Sequence, residues 1–305
     1  MMWVLPAIIA LLLPGNALAH SDGLPVGPED VWHHWTFDPW IVTPMVLAFG
    51  LYARGVVRLW ASAGLGRGIS MPRVASYAAG ALVLIVALVS PLDALGDTLL
   101  TAHMIQHVLL VAVVPPLLLA GGPGAALPWA LPQRTRRAMG RSAGLRLLGR
   151  RTAFLLRPLP AAALHGVAMW VWHAPALYEA ALRNEAIHTL EHLSFFVTAM
   201  LFWQSLVLAA RSTATLPAAI AAGFLTMLHG GFLSVLIIFA PRPLYTWYGD
   251  RSDLWGLGAL ADQQLAGLIM GVPTSFVYLF ACVALAARFL VPTPPYRMAE
   301  QRSPI

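Results

Sequence analysis

Seven apolar stretches, each long enough to cross about 30 Å of hydrocarbon, recur at residues 39–59, 74–92, 98–119, 159–180, 187–209, 216–240 and 261–290. A chain patterned this way has the bilayer as its solvent. The expected fold is an all-α membrane protein, a polytopic bundle of about seven transmembrane helices. Composition agrees: the 305 residues are 59% hydrophobic and 10% charged, against about 25% charged in a soluble domain.

The charges orient the bundle. All 19 basic residues are arginine. With the N-terminus outside and the C-terminus inside, sixteen arginines fall on the cytoplasmic side, twelve of them in two loops, Arg54 to Arg73 and Arg134 to Arg157. Only Arg183, Arg242 and Arg251 fall outside, which satisfies the positive-inside rule. The net charge of +6 therefore reports topology and is no nucleic-acid patch. The connector 120–158, rich in Gly, Pro and Arg, reads as a surface loop against anionic lipid headgroups.

The organisation expected ahead of the bundle is short. Residues 3–13 are an apolar run of eleven, too short to span, followed by Pro14-Gly15 and Ala17-Leu18-Ala19. This is the pattern of a cleavable secretory signal over 1–19. Residues 20–38 then form an extracytoplasmic segment, 39–290 the seven-span membrane domain and 291–305 a cytoplasmic tail. The single cysteine, Cys282, allows neither an internal disulfide nor a paired thiolate site.

Ten histidines are present, and five of them share one depth. The third span carries His103-Met-Ile-Gln-His107 in its first turns, and the fifth carries His188-Thr-Leu-Glu-His192 near its start. Spacing of i,i+4 puts both rings of a pair on one helix face, about 6 Å apart along the axis. The fourth span runs the opposite way and carries His173 late, roughly 8 Å below its outer end at 1.5 Å per residue. Polar groups at membrane depth are costly and face a cavity or one another, so His103, His107, His173, His188 and His192 form a candidate metal site. Met104, Glu191 and the Asp262-Gln263 pair that opens the seventh span are auxiliary candidates. His165 and His229 stand apart, nearer the membrane interior, where a lone histidine reads equally well as a packing residue; His229 is kept as an auxiliary candidate.

Imidazole suits copper, zinc, iron and nickel, and thioether favours Cu(I). Neither HMIQH nor HTLEH is HExxH, because Glu is missing from the general-base position, which argues against an intramembrane zinc protease. Haem b remains open if histidines pair across helices, as His107 with His192 would. Signal cleavage after Ala19 would expose His20 with a free amine, a second and more speculative metal position. Trp32, Trp35, Trp40, Trp247, Tyr248 and Trp255 read as the interfacial aromatic belt.

In order along the chain, HMIQHVLLVAVVPPLLLAGGP, WVWHAPALYEAAL, IHTLEHLSFFVTAMLFW, FAPRPLYTWY and ADQQLAGLIMGVP resemble the multispan CtaG family of assembly factors for caa-type cytochrome c oxidase. The resemblance covers nearly all of residues 35–290. It implies a non-catalytic inner-membrane protein of bacteria that matures a haem-copper oxidase by handling copper on the periplasmic side. The implied partners are oxidase subunits or another copper chaperone, within the lipid bilayer. The motif histidines carry over onto His103, His107, His173, His188 and His192, and the acidic-amide motif onto Asp262 and Gln263. An unrelated single-span copper chaperone shares the family name but works through a cysteine pair absent here. The alternatives to copper delivery are a membrane b-type cytochrome in electron transfer and a metal-ion transporter.

Overall fold

The computed structural model describes residues 24–290. The expected signal segment 1–19, His20 and the expected tail 291–305 lie outside the described residues. Within them every regular element is helical. Six helices are long and apolar enough to cross a membrane: α1 (Pro39–Ala63), α2 (Met71–Leu88), α3 (Leu100–Ala120), α5 (Glu185–Ala209), α6 (Leu216–Ile238) and α7 (Ala259–Leu290). The fourth in chain order, α4 (Pro158–Trp172), has 15 residues, about 22 Å of rise. It qualifies as a seventh span only with the segment Leu147–Leu156, from which it bends by 74°.

One boundary differs from the sequence expectation. The apolar pattern predicts a fourth span that continues to residue 180, but α4 ends at Trp172 with His173 as its C-cap. The stop lies just before Ala174-Pro175, where the proline disfavours helical backbone in the residue ahead of it. The chain then restarts as a separate helix, Pro175–Arg183. The connector 120–158, read as a surface loop, is built of short helices, Pro123–Ala130, Gln133–Arg141 and Ala143–Thr152. Proline opens the first of them, where its missing N–H costs nothing.

α3 is the central strut. Of its most apolar stretch 72% is buried, against 22–50% for the other long helices. On one side it joins α4 to α7 in the larger core, which holds Met104, Phe195, Phe202 and Met270. On the other it joins α1, α2 and the Pro123–Ala130 helix around Tyr52, Tyr77 and Leu118. Its path is interrupted by a π turn over Leu109–Val113, just before Pro115-Pro116.

Close helix approach fixes the neighbours. Gly267 and Gly271 form a GxxxG stripe on α7, the small-residue device of membrane helix pairs. A Cβ at Gly271 would clash with Ser234 Oγ on α6. The contact is tied by Ser234 Oγ donating to Gly267 O at 2.6 Å.

α3 also begins under the control of α7. The first amides of a helix have no internal acceptor, and those of Leu100 and Thr101 donate to the Asp262 carboxylate at 2.7 and 3.0 Å. α5 carries its own cap, Asn184 Oδ1 accepting from Ile187 N at 3.1 Å. The two histidine-bearing helices thus start at fixed positions.

Candidate metal centre

The i,i+4 pairs of α3 and α5 face each other. His103 and His107 lie with Nε2 atoms 2.9 Å apart. Across from them, the rings of His188 and His192 are 4.1 Å apart between centroids. The His103 ring is 5.2 Å from His188 and 5.7 Å from His192, and His107 is 5.1 Å from His192. His173, at the end of α4, flanks the group with its ring 6.0 Å from His107.

Glu191 lies among these rings. Its Oε2 is 4.0 Å from His103 Nε2 and its Oε1 is 3.8 Å from His107 Nε2. The side chain is fully buried, and neither oxygen has a hydrogen-bond partner. An ionised carboxylate buried without a partner costs several kcal/mol, a cost that either a bound cation or protonation of the carboxyl removes. One ligand atom each from His103, His188, Glu191 and His192 lies within 4.8 Å of all the others. A tetrahedral ion with bonds of about 2.1 Å would draw them to roughly 3.4 Å.

Hydrogen bonds behind the rings set which nitrogen is bare. His173 Nδ1 meets Met169 O at 2.7 Å; a carbonyl only accepts, so Nδ1 carries the proton and Nε2 the lone pair. That Nε2 is buried and unpartnered. Tyr248 donates its hydroxyl to Gly96 O at 3.0 Å, so its oxygen is left to accept from His103 Nδ1 at 3.3 Å. His103 therefore keeps its lone pair on Nε2, which accepts from His107 Nε2 at 2.9 Å. The Nε2 atoms of His188 and His192 and the Nδ1 of His107 are also buried without partners. An imidazole with an unprotonated ring nitrogen turned inward is the form that binds metal.

A cover of tyrosines closes the site. Tyr178 is fully buried with its ring 5.2 Å from His103, and Tyr245 packs on it at 4.2 Å. Tyr245 donates to His173 O at 3.0 Å. The covering segment is latched outside the spans, where Glu179 Oε1 accepts from the amide of Thr246 at 2.6 Å and from its hydroxyl at 2.5 Å. The Thr246 hydroxyl foremost, with its amide and Arg183, holds the Glu179 carboxyl below its usual range.

Residues 50–291, most of the chain and all of this centre, match the cytochrome c oxidase caa3 assembly factor family, Caa3_CtaG. The chain belongs to that family. Its curated relatives include uncharacterized proteins of Mycobacterium bovis and Mycobacterium tuberculosis, each 27% identical over 267 residues, and one of Mycobacterium leprae, 24% identical over 265. In all three the match takes in 84% of this chain but only 39% of the relative, so the chain spans well under half of their length. No solved structure matches it.

In this CtaG-family chain the five motif histidines converge, as their shared depth predicts. The auxiliary residues divide. Glu191 joins the ring of candidate ligands rather than standing behind it. Asp262 spends both carboxylate oxygens on the α3 amides, and Gln263 bonds Leu244 N and Ile237 O, at 2.6 and 3.1 Å; both fix helices. Met104 is fully buried in the main core. His229 lies on α6, outside the four-residue group. Sequence reasoning missed Tyr178, Tyr245 and Tyr248. Tyr248, expected in the interfacial belt, is 2% exposed and supports His103. The signal was present in LYTWY, where tyrosines recur beside polar residues in a connector that borders the histidine layer.

Proposed function

We propose that this CtaG-family protein binds copper at the His103, His188, Glu191 and His192 centre and delivers it to a haem-copper cytochrome c oxidase during assembly. The observation that carries the reading is the compact donor set around a buried carboxylate without a partner. Three neutral imidazoles and one carboxylate around Cu(I) sum to zero charge, the least costly total at low dielectric. His107 and His173 supply further bare nitrogens beside the set, which suits a cargo ion that must exchange ligands on release. Copper is the cargo; the protein's own part is to hold the rings neutral, exclude water with the tyrosine cover and present a partly redundant donor set.

The sixteen-to-three arginine split supports an orientation with the starts of α3 and α5, and hence the centre, on the periplasmic side of a bacterial inner membrane. Delivery there suits oxidase subunits or a second copper chaperone as partner, with no catalytic turnover. A b-type cytochrome is disfavoured by the packing, since the rings of the two pairs lie only 5.1 to 5.7 Å apart across the helices, too close to admit a macrocycle between them. The roomier groove, about 450 Å³ between α1 and α2, is lined by residues such as Phe49, Trp60 and Leu82 and by no histidine.

Metal analysis with a visible spectrum on protein from copper-replete cells tests this. Wild type should carry about one copper per chain at this centre and no Soret band. His103→Ala with His107→Ala should lose the copper and leave the oxidase immature. Glu191→Gln should weaken binding about 10-fold or more, yet leave the metal-free protein at least as stable, because a buried charge is removed. Unchanged copper content in the double variant would overturn the proposal.

A further inference from the structure

A cavity of about 20 Å³ opens beneath the histidine cluster, room for about one water. His107 and His173 line its upper end, and His165 and His229 line it further in. His165 lies eight residues before His173 on the same chain segment, about 12 Å by helical rise. The cavity therefore connects the proposed centre with a second histidine pair near mid-membrane.

The second pair is prepared in the same way as the first. Thr198 gives its hydroxyl proton to Ser194 O at 2.8 Å, so toward His165 Nδ1, 3.0 Å away, it acts as acceptor. His165 then bears its proton on Nδ1 and its lone pair on Nε2, which accepts only a long hydrogen bond from Tyr278 OH at 3.5 Å. His229 has no hydrogen-bond partner on either ring nitrogen, although both are buried. Its ring reaches α4 only because residue 166 is glycine; a Cβ there would meet His229 Nε2 at 3.1 Å. Three thioethers, Met169, Met227 and Met270, share the lining with valines, hydroxyl residues and glycines, and none of the described lining residues is a carboxylate.

That chemistry selects an ion. Imidazole with thioether is a soft donor set. With no anion to offset the charge, the desolvation cost for a divalent ion, which grows as the square of charge, would be about four times that of a monovalent one, already of order 20 kcal/mol in the ideal case. We propose that His165 and His229, with Met169, Met227 and Met270, form a second metal subsite that holds a soft monovalent cation, Cu(I) or Ag(I), in transit to or from the upper cluster. It deepens the copper-binding reading above, because a station in transit requires the upper cluster to be a metal site. Transfer is ligand exchange at constant oxidation state, with His173 and His107 as the intervening donors.

The full-length protein in detergent, under anaerobic reducing conditions, is titrated with Cu(I) against a chromophoric chelator and separately with Zn(II). Wild type should take up one more equivalent of Cu(I) than of Zn(II). His229→Gln should lose that extra equivalent and keep Zn(II) binding. Met227→Leu with Met270→Leu, which preserves volume and reads the site even where His229→Gln fails to fold, should reduce copper–sulfur scattering in X-ray absorption, leaving at most the contribution of Met169. His188→Ala with His192→Ala should lose Zn(II) and retain one Cu(I). Wild-type Cu(I) stoichiometry and sulfur scattering in both the His229 and the methionine variants would overturn the subsite and leave the upper centre standing. Loss of only the upper metal in every preparation would overturn the upper centre instead.

Discussion

Trp203 donates its indole N–H to Val111 O at 2.9 Å, and this bond closes the gap that Pro115-Pro116 opens in α3. An α-helical partner for Val111 O would be the amide of residue 115 and a π-helical one that of residue 116; both are proline and have none. Trp203 lies on α5, so the bond also clamps the two helices that carry the histidine pairs. Trp203→Phe keeps the bulk and removes the donor, leaving a buried carbonyl unpaired at a cost of about 1–3 kcal/mol. The expected result is a lower thermal midpoint in detergent with weaker metal binding. Wild-type values for both would show that the clamp is dispensable.

Tyr248 is the residue that sets the His103 tautomer. Tyr248→Phe should leave folding intact, since the ring stays and only a hydroxyl is lost. Metal affinity should fall about 10- to 100-fold, the usual effect of removing support behind a ligand. Competition titration reads the affinity and thermal melting of the metal-free protein reads the fold. An unchanged affinity would mean that Gly96 or another acceptor holds His103 without the tyrosine.

The Glu179 to Thr246 latch gives the tyrosine cover a pH dependence. The folded carboxyl is a stronger acid than its ordinary value of 4.5, so the latch contributes stability above that value and loses it as pH falls through the lowered one. Hydrogen exchange of the 239–248 peptide in metal-free protein, corrected for intrinsic rates, should show the cover loosening only as pH falls below 4.5, through the lowered value. Glu179→Gln, which cannot form the charge-assisted bonds, should be loose at neutral pH and respond little to acid. Equal protection in both proteins at pH 7 would remove the latch from the account.

Periodicity and charge make most of the fold legible in the amino-acid sequence. Apolar runs locate six long helices to within a few residues, and the i,i+4 pairs on α3 and α5 are readable because helical geometry alone puts 103 with 107 and 188 with 192. Convergence of the two pairs follows from matching depth on parallel helices. What the sequence hides are the partners that act across long separations. Nothing local distinguishes Asp262 as a cap for Leu100, or Tyr248 as the support of His103, because each relation depends on packing rather than spacing. Glu191 reads from sequence as a residue behind the histidines because its side chain could face either way on α5, and only its burial against α3 decides. The end of α4 at Trp172 is signalled by Ala174-Pro175, but that signal is outweighed by the apolar run that continues beyond it.

The capping of α3 by Asp262 has a consequence for how the protein is made. Helix α3 and its histidines leave the ribosome early, whereas Asp262 belongs to the last long helix, 162 residues downstream of Leu100. Until α7 inserts, the first amides of α3 lack their acceptor, and the segment bearing Tyr245 and Tyr248 has no second anchor. The start of α3, and with it the depth of His103 and His107, therefore gains its last hydrogen bonds only when α7 has been made. A chain stalled in synthesis before α7 would lack that cap.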